Sequence, residues 1–550
     1  MCLSRGKERS RRFMSALAKP LVRRRTLRTD ERQLVDKFAA RKSLELVIAF
    51  AGPIGCGIQS VVEMSTTRLR ERGYEVVHVK LSDFLEEAVK QGFVDEWQPP
   101  AGSSTRLTRY RRLQEAGKEL RGKTMNPAIL AEYAIRQLSI DRRKRFSDEG
   151  GSIDSTSPIV PQRVAYLIDQ VKRPEEVTLL RVVYGNLFYL AGVTRIKDRR
   201  VEELLREKVR ANEMEGLIEI DRNEGEKNGQ QLDKTLELAD YFIRNDAKTI
   251  DDKRRKIDRF LDLIHGDKSV TPSKAEHGMY AAYSAGLRSA CLSRQVGAAI
   301  AASGGEVIST GCNDVPKAGG GLYASDSQIV DMRCVHQDGQ VCFNDFYKKK
   351  LLAELGDEIE KQLRDVKSIF LSPNERAQLL NGIYENTRVK DLIEFSRSVH
   401  AEMDAIVALV RTGGGGLRGA TLYTTTFPCH NCARHIVAAG ITKVFYIEPY
   451  EKSLAKDLHQ DAIAFEVEET KLETPKRVEF LHFEGVAPRQ FGNMFRATTR
   501  KDSSGKFVPI EIRTAEKFLP EYIDSYQDFE AKAVEHLESE ISKLANSKNA

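Results

Sequence analysis

The sequence predicts an α/β protein with an N-terminal domain on a parallel sheet and a C-terminal domain whose mixed sheet is flanked by helices. Three observations carry that prediction. A chain of 550 residues is too long for one hydrophobic core, so it divides into domains. The apolar run "LELVIAFA" (44–51) leads into the glycine-rich "GPIGCGIQS". A helical stretch from Ser60 to Arg72 and the strand-like "YEVVHVKL" follow, a β-loop-α-β unit of the kind that builds parallel sheets. Beyond residue 290 the alternation returns. "QVGAAIAA" and "EVISTGC" read as a hairpin around "SGG", and "HAEMDAIVALVR", "ATLYTT", "CARHIVAAG" and "KVFYIE" read helix, strand, helix, strand.

In chain order, residues 1–42 form a basic arm in which the first 28 residues hold one acid, Glu8. That composition suits a poorly ordered tail, a transit peptide or a segment that touches nucleic acid. The first domain spans 43–250. After its opening unit come a strand in "RVAYLID" ending at Asp169, a strand from about Leu187 to Val193, and a late strand in "LELADYFIRND" (236–246). The polar, Gly/Ser-containing "DRRKRFSDEGGSIDSTSPIVP" (141–161) reads as a mobile loop, with its charge run "DRRKR" (141–145) as solvated helix. The charged helix "DDKRRKIDRFLDLI" links to the second domain, 270–470. That domain holds a small-residue helix, "GMYAAYSAGLRSACL", and a largely helical insertion from "KKKLLAELGDEIEKQLRDV" to about Asn386. Residues 471–550 are expected to pack on the second domain as a C-terminal extension.

Hydrophobic residues make up 41% and charged residues 30%, which suits a globular protein with a charged surface. No apolar run approaches the roughly 20 residues of a membrane span, and the N-terminus lacks the apolar core of a secretory signal. The expectation is a cytoplasmic protein with reduced thiols. Six of eight cysteines fall between 291 and 432, and in that setting clustered cysteines point to metal. A net charge of +7 is too small at this length to imply nucleic acid by itself.

The segment that carries chemistry is "TFPCHNCARHI" (426–436). Its CxxC, Cys429 and Cys432, is preceded by "HAE", His400-Ala401-Glu402, with 25 residues between Glu402 and Pro428. H-x-E, a spacer and P-C-x-x-C form the signature of zinc deaminases. One imidazole and two thiols give Zn²⁺ three protein ligands and leave a fourth position for water. Thiolates at a helix N-terminus are favoured by its partial positive charge. Glu402 lies two residues from His400 and so points elsewhere, as a proton shuttle. A structural zinc knuckle needs a fourth Cys or His that the spacing does not supply, and a redox pair leaves "HAE" unexplained.

On these residues, together with "SRQVGAAI" (293–300) and "ISTGCNDVP" (308–316), the second domain resembles the deoxycytidylate (dCMP) deaminase branch of the cytidine deaminase superfamily. The resemblance implies Arg294 and Asn313 at substrate phosphate or sugar, a deoxycytidine nucleotide as substrate and association into a homo-oligomer. The first domain resembles P-loop kinases through Gly52, Gly55 and Gly57, with Ser60 nearby and Asp169 as the acid ending a strand. Ile58 stands where that family has its phosphate-binding lysine, which disfavours phosphoryl transfer while leaving a backbone phosphate nest. Arg195, Arg199 and Arg200 are candidate lid residues.

The two domains in one chain are similar to the bacterial antiphage dCTP deaminases, and the tail "GVAPRQFGNMFRATTRKDSSGK" matches that resemblance. It implies depletion of dCTP during phage infection, with the first domain sensing a nucleotide or RNA regulator. The alternatives are a nucleic-acid-editing deaminase and a regulatory binding protein. Two further candidates are a second zinc site from Cys291, Cys334, His336 and Cys342, and a phosphate contact from Arg489.

Overall fold

The computed structural model describes residues 42–100, 102–148, 162–222, 228–246, 249–326, 329–367, 370–450, 453–465, 477–496 and 499–547. The basic arm, apart from Lys42, and most of the expected loop after residue 148 lie outside the described residues. The chain forms two compact units, Met1–Thr271 with Glu484–Ala550, and Pro272–Phe483.

The first unit is built on β1 (Leu46–Ala51), β2 (Glu75–Lys80), β3 (Val164–Asp169), β4 (Phe188–Thr194) and β5 (Tyr241–Arg244). These strands are parallel, in the order β5-β4-β1-β3-β2. The central β1 is buried at all six positions, as its uninterrupted apolar sequence requires of a strand covered on both faces. The helices Ile58–Glu71 and Ile250–Ile264 contribute apolar side chains to one core with β1, including Val61, Leu69, Phe260 and Leu261.

The C-terminal extension corrects the expectation that 471–550 packs on the second domain. Val478–His482 is a strand of the second sheet, whereas everything from Glu484 on belongs to the first unit. Gly485–Val486 pairs antiparallel with β5. The helix Ile523–Ser547 lies against the helix Ile129–Asp148, and there a second expectation fails. Arg142 is not solvated: it donates to both oxygens of Glu45, at 2.8 and 2.7 Å, and to Glu530. Tyr184 donates to Glu530 at 2.7 Å, and Lys517 to the Glu45 carbonyl at 2.6 Å. Two buried carboxylates sharing one guanidinium satisfy the rule that buried charge is paired.

The second unit holds β6 (Gly297–Ala301), β7 (Val307–Cys312), β8 (Thr421–Thr426), β9 (Lys443–Glu448), β10 (Ile463–Phe465) and β11 (Val478–His482), in the order β10-β11-β9-β8-β6-β7. The β6–β7 hairpin is antiparallel, and β8, β9, β11 and β10 are mutually parallel. The insertion is two helices, Phe343–Lys367 and Pro373–Asn386. The helix Ala401–Arg411 lies directly on β7, because a Cβ at Gly311 would sit 2.3 Å from the Ala405 nitrogen and 2.4 Å from the Ala401 carbonyl. Among the described residues no helix is long and apolar enough to cross a membrane.

Candidate active site

β8 delivers the CxxC. Leu422–Thr426 is buried, and Phe427 donates its backbone N–H to the Glu448 carbonyl at 2.7 Å, so the chain leaves the sheet in a fixed direction. Cys429 is the N-cap of the helix His430–Ala438, its sulfur accepting the Cys432 N–H at 3.4 Å. His400 is likewise the N-cap of the helix Ala401–Arg411, with extended backbone before the first turn. Two helix N-termini therefore bring the three donors together. His400 Nδ1 lies 3.2 Å from Cys429 Sγ and 3.4 Å from Cys432 Sγ.

These three are the only such metal-capable group among the described residues, with all donor atoms within 4.8 Å of one another. Tetrahedral zinc with its usual bond lengths spaces N and S ligands about 3.6 Å apart, so the donor set and its spacing fit the ion. The electrostatics agree. Donation from Cys432 and the adjacent His400 pull the Cys429 thiol down to about 4, while Cys432 is pushed well up. His400 rises to about 9, chiefly through its bond to Cys429. Without a metal, the Cys429 thiolate is thus paired with the His400 imidazolium in a buried place.

Glu402 completes it. The carboxyl is 4% exposed, and Cys432 Sγ donates to its Oε2 at 3.5 Å. Burial raises its pKa to about 6. A carboxyl near neutrality beside a metal-capable cluster can both take and give a proton.

Residues 272–448 match the profile of the cytidine and deoxycytidylate deaminase zinc-binding region. This is a dCMP-deaminase-type domain of the cytidine deaminase superfamily. Over 182 residues the chain is 28% identical to the deoxycytidylate deaminase of Enterobacteria phage T2, covering 33% of this chain and 82% of the phage protein. The phage T4 deoxycytidylate deaminase is 29% identical over 182 residues, 33% of this chain and 80% of its own. Among solved structures, a dCMP deaminase from cyanophage S-TIM5 in complex with dCMP and dUMP aligns over 39% of this chain and 99% of its own. Its sequence identity is 18% and its TM-score 0.22.

The other expected residues divide. Asn313 turns inward. Its Oδ1 accepts the Val296 N–H and its Nδ2 donates to the Arg294 carbonyl, both at 2.7 Å, so it shapes the loop that carries Arg294. Arg489 belongs to the first unit and donates to Asp240 at 3.0 Å. The second zinc candidates do not converge among the described residues: Cys291 accepts from Ser398 at 3.4 Å, and His336 faces Asp331 at 3.4 Å.

In the first unit, Gly57 caps the helix Ile58–Glu71 at φ 73°, and Gly55 also has positive φ. The loop's carbonyls are bonded from within the unit. Lys172 Nζ reaches Gly52 at 2.9 Å, Arg200 reaches Ile54 at 3.0 Å, Arg195 reaches Gly55 at 3.3 Å and Asn245 reaches Cys56 at 2.8 Å. Asp221 closes the set, accepting from Lys172 and from the Ile54 N–H, both at 2.7 Å. Lys253 donates to Ser60 Oγ at 2.9 Å. Asp169 ends β3, with His78 3.7 Å away.

Sequence reasoning missed Glu448 and Tyr450, at the end of β9. Glu448 accepts from Thr426 at 2.9 Å, and Ser453, in the same turn as Tyr450, donates to the Pro428 carbonyl at 2.8 Å. The signal was an aromatic two residues past a parallel strand that neighbours the CxxC strand, which only the pairing of β8 with β9 makes visible.

Proposed function

We propose that the second unit hydrolytically deaminates deoxycytidine nucleotides, dCMP, dCTP or both, to the deoxyuridine forms, with zinc held by His400, Cys429 and Cys432. The observation that carries this reading is the buried Glu402 set against the three-donor cluster. When bound, zinc would supply Lewis acidity that makes water a stronger acid near neutral pH. The chain's residues do the rest. Glu402 takes a proton from the water whose oxygen adds to C4 of the cytosine ring. It delivers that proton to the ring nitrogen beside C4, then moves the proton of the new C4 hydroxyl to the amine as the C4–N bond breaks, so that ammonia leaves and a C4 carbonyl remains. Burial keeps Glu402 near neutrality, so it serves in both directions.

The wider reading is dCTP depletion as antiphage defence by an oligomer in the cytoplasm, with the first unit sensing a nucleotide or RNA at Gly52, Gly55, Gly57, Ser60 and Asp169. The two-domain resemblance supports it. Phosphoryl transfer is not part of this reading, because Ile58, in the lysine position, is 3% exposed and part of the core.

The test offers cytidine, dCMP, dCTP, CTP and a cytosine-containing single strand to the full chain, with Glu402→Ala as control. Uracil nucleotide from dCMP or dCTP, absent in the control, is the expected result. Product from the strand alone replaces this reading with nucleic-acid editing.

A further inference from the structure

The end of β7 grips His400 from both sides. After it, the Asp404 carboxylate accepts the Cys312 N–H at 3.1 Å, and Ser309 Oγ donates to the Ala405 carbonyl at 2.7 Å. Before it, the Val399 N–H bonds the Asp314 carbonyl at 3.0 Å, in an isolated antiparallel bridge between residues 314 and 399. Asp314 is itself fixed. It is 1% exposed, its Oδ2 accepts the Ala290 N–H at 2.9 Å and its Oδ1 accepts the Val315 N–H at 2.8 Å. The buried Arg333 guanidinium reaches Oδ2 at 3.5 Å, and is held in turn by Asp331 at 2.6 Å and Ser325 at 3.3 Å. Next to it in the chain, the Asn313 carbonyl accepts from Ser289 Oγ at 2.6 Å.

A histidine that holds a metal usually bonds its second ring nitrogen to a carboxylate or a carbonyl, which fixes the ring. The His400 ring is held differently. Its hydrogen bonds among the described residues run from Nδ1 to the two thiols, so the backbone on either side of His400 carries its orientation. We propose that Asp314 is a positioning residue for the metal-capable cluster: it fixes the backbone that presents His400, and so sets how tightly the three donors hold zinc. The proposal rests on the zinc reading of that cluster. Asp314 acts as an acceptor on both carboxylate oxygens. An asparagine of the same shape keeps one acceptor and turns an NH₂ donor against either the Val315 N–H or the Ala290 N–H. One of those bonds is lost, and the pairing of residue 314 with Val399 loosens with it.

The experiment strips metal from the full chain and titrates zinc back in competition with a chromophoric chelator. The natural protein, Asp314→Asn, Asp331→Asn and Ser289→Ala are compared, with circular dichroism to confirm folding. Asp314→Asn is expected to weaken zinc about tenfold to a hundredfold, as loss of a group that orients a ligand does. It is also expected to shift the visible bands of the Co²⁺-loaded chain, which report geometry around the ion and which a loss of stability alone does not move. Asp331→Asn is the control. Its polar contacts among the described residues are with Arg333 and His336, so it loosens Arg333 without touching residue 314 or 399, and both readouts should stay unchanged. Should Asp314→Asn not fold, Ser289→Ala decides, because it removes only the brace on the Asn313 carbonyl and the Cys291 N–H. A smaller loss of zinc affinity is then expected, and no loss overturns the proposal. Unchanged zinc affinity in a folded Asp314→Asn overturns it too, as does an equal loss in Asp331→Asn. A natural chain that takes up no zinc removes the zinc reading and the proposal together. Normal uptake that Asp314→Asn leaves alone removes the proposal and keeps the zinc reading.

Discussion

The molecule contains two strand-to-helix turns that differ in what surrounds them. Residues 52–57 follow β1 and lead into the helix Ile58–Glu71; residues 427–429 follow β8 and lead into the helix His430–Ala438. Both present backbone N–H groups at a helix start, where negative charge is favoured. In the first turn, Lys172, Arg195, Arg200 and Asn245 bond the loop's carbonyls, and Asp221 holds Lys172 in place. In the second, the donor atoms of His400, Cys429 and Cys432 converge, and their polar contacts among the described residues are with one another, the Cys432 N–H and Glu402. The lesson is that a turn motif becomes a reactive centre through the groups its neighbours leave unmatched. In the first turn the loop carbonyls are bonded by side chains of its own unit; in the second, three metal-capable donor atoms converge.

The contrast can be broken most sharply at Glu402. Glu402→Gln is expected to lower dCMP turnover by about 10³-fold, within the range for loss of a general acid–base group, while zinc content measured by atomic absorption stays unchanged. Cys429→Ser is expected to lose both. A Glu402→Gln variant that turns over normally would mean that the second turn is only a metal clamp.

In the first turn the expected loss is one of stability. Asp221→Ala leaves Lys172 buried without its partner and should cost about 3 kcal/mol, read as a shift in the urea midpoint. No change would show that the loop is not held from within. A related substitution, Ile58→Lys, restores the phosphate-binding lysine in sequence but places an ammonium at a core position beside Val61 and Val193. It is expected to destabilise by about 2 kcal/mol and to confer no phosphoryl transfer, assayed with labelled ATP. Gained transfer would show that the turn differs from an active one by that residue alone.

The smallest effect concerns how the first unit handles a titrating side chain. His265 is buried, its Nε2 2.9 Å from the Tyr74 hydroxyl and its Nδ1 2.6 Å from the Leu261 carbonyl. Burial, with Arg163, Arg72 and Lys517 nearby, lowers its pKa to about 4 from an ordinary 6.5. The unfolded chain therefore binds the proton first. The stabilising contribution is complete above pH 6.5 and is lost as pH falls from 6.5 toward 4. Between pH 7 and 5.5 this removes about 1 kcal/mol, and His265→Gln should flatten that part of the stability profile. An unchanged slope would mean that His265 is not neutral in the fold.

Much of this was legible in the sequence because it depends on short-range pattern. The apolar run of β1, the glycine turn after it and the "HAE" and "PCHNC" segments are each set within a few residues. The spacer between His400 and Cys429 contains one helix and one strand, as its pattern indicates. The return of residues 484–550 to the first unit was not legible. A strand as short as Gly485–Val486 carries no periodic signal, and its partner β5 lies about 240 residues earlier in the chain. Arg142 misled for the same reason: a basic run reads as solvated until Glu45 and Glu530, from opposite ends of the chain, are placed beside it.

By itself, then, the sequence determined the two α/β units and pointed to the three donors that converge as a metal-capable group, since residue type and local spacing decide which ligands can share an ion. Only the tertiary structure decided that the glycine turn is matched from within, that Arg489 serves Asp240, and that Tyr450 meets Arg294. Those outcomes hang on pairings between segments far apart in the chain. Their charge and packing are fixed by sheet register, which no local pattern encodes.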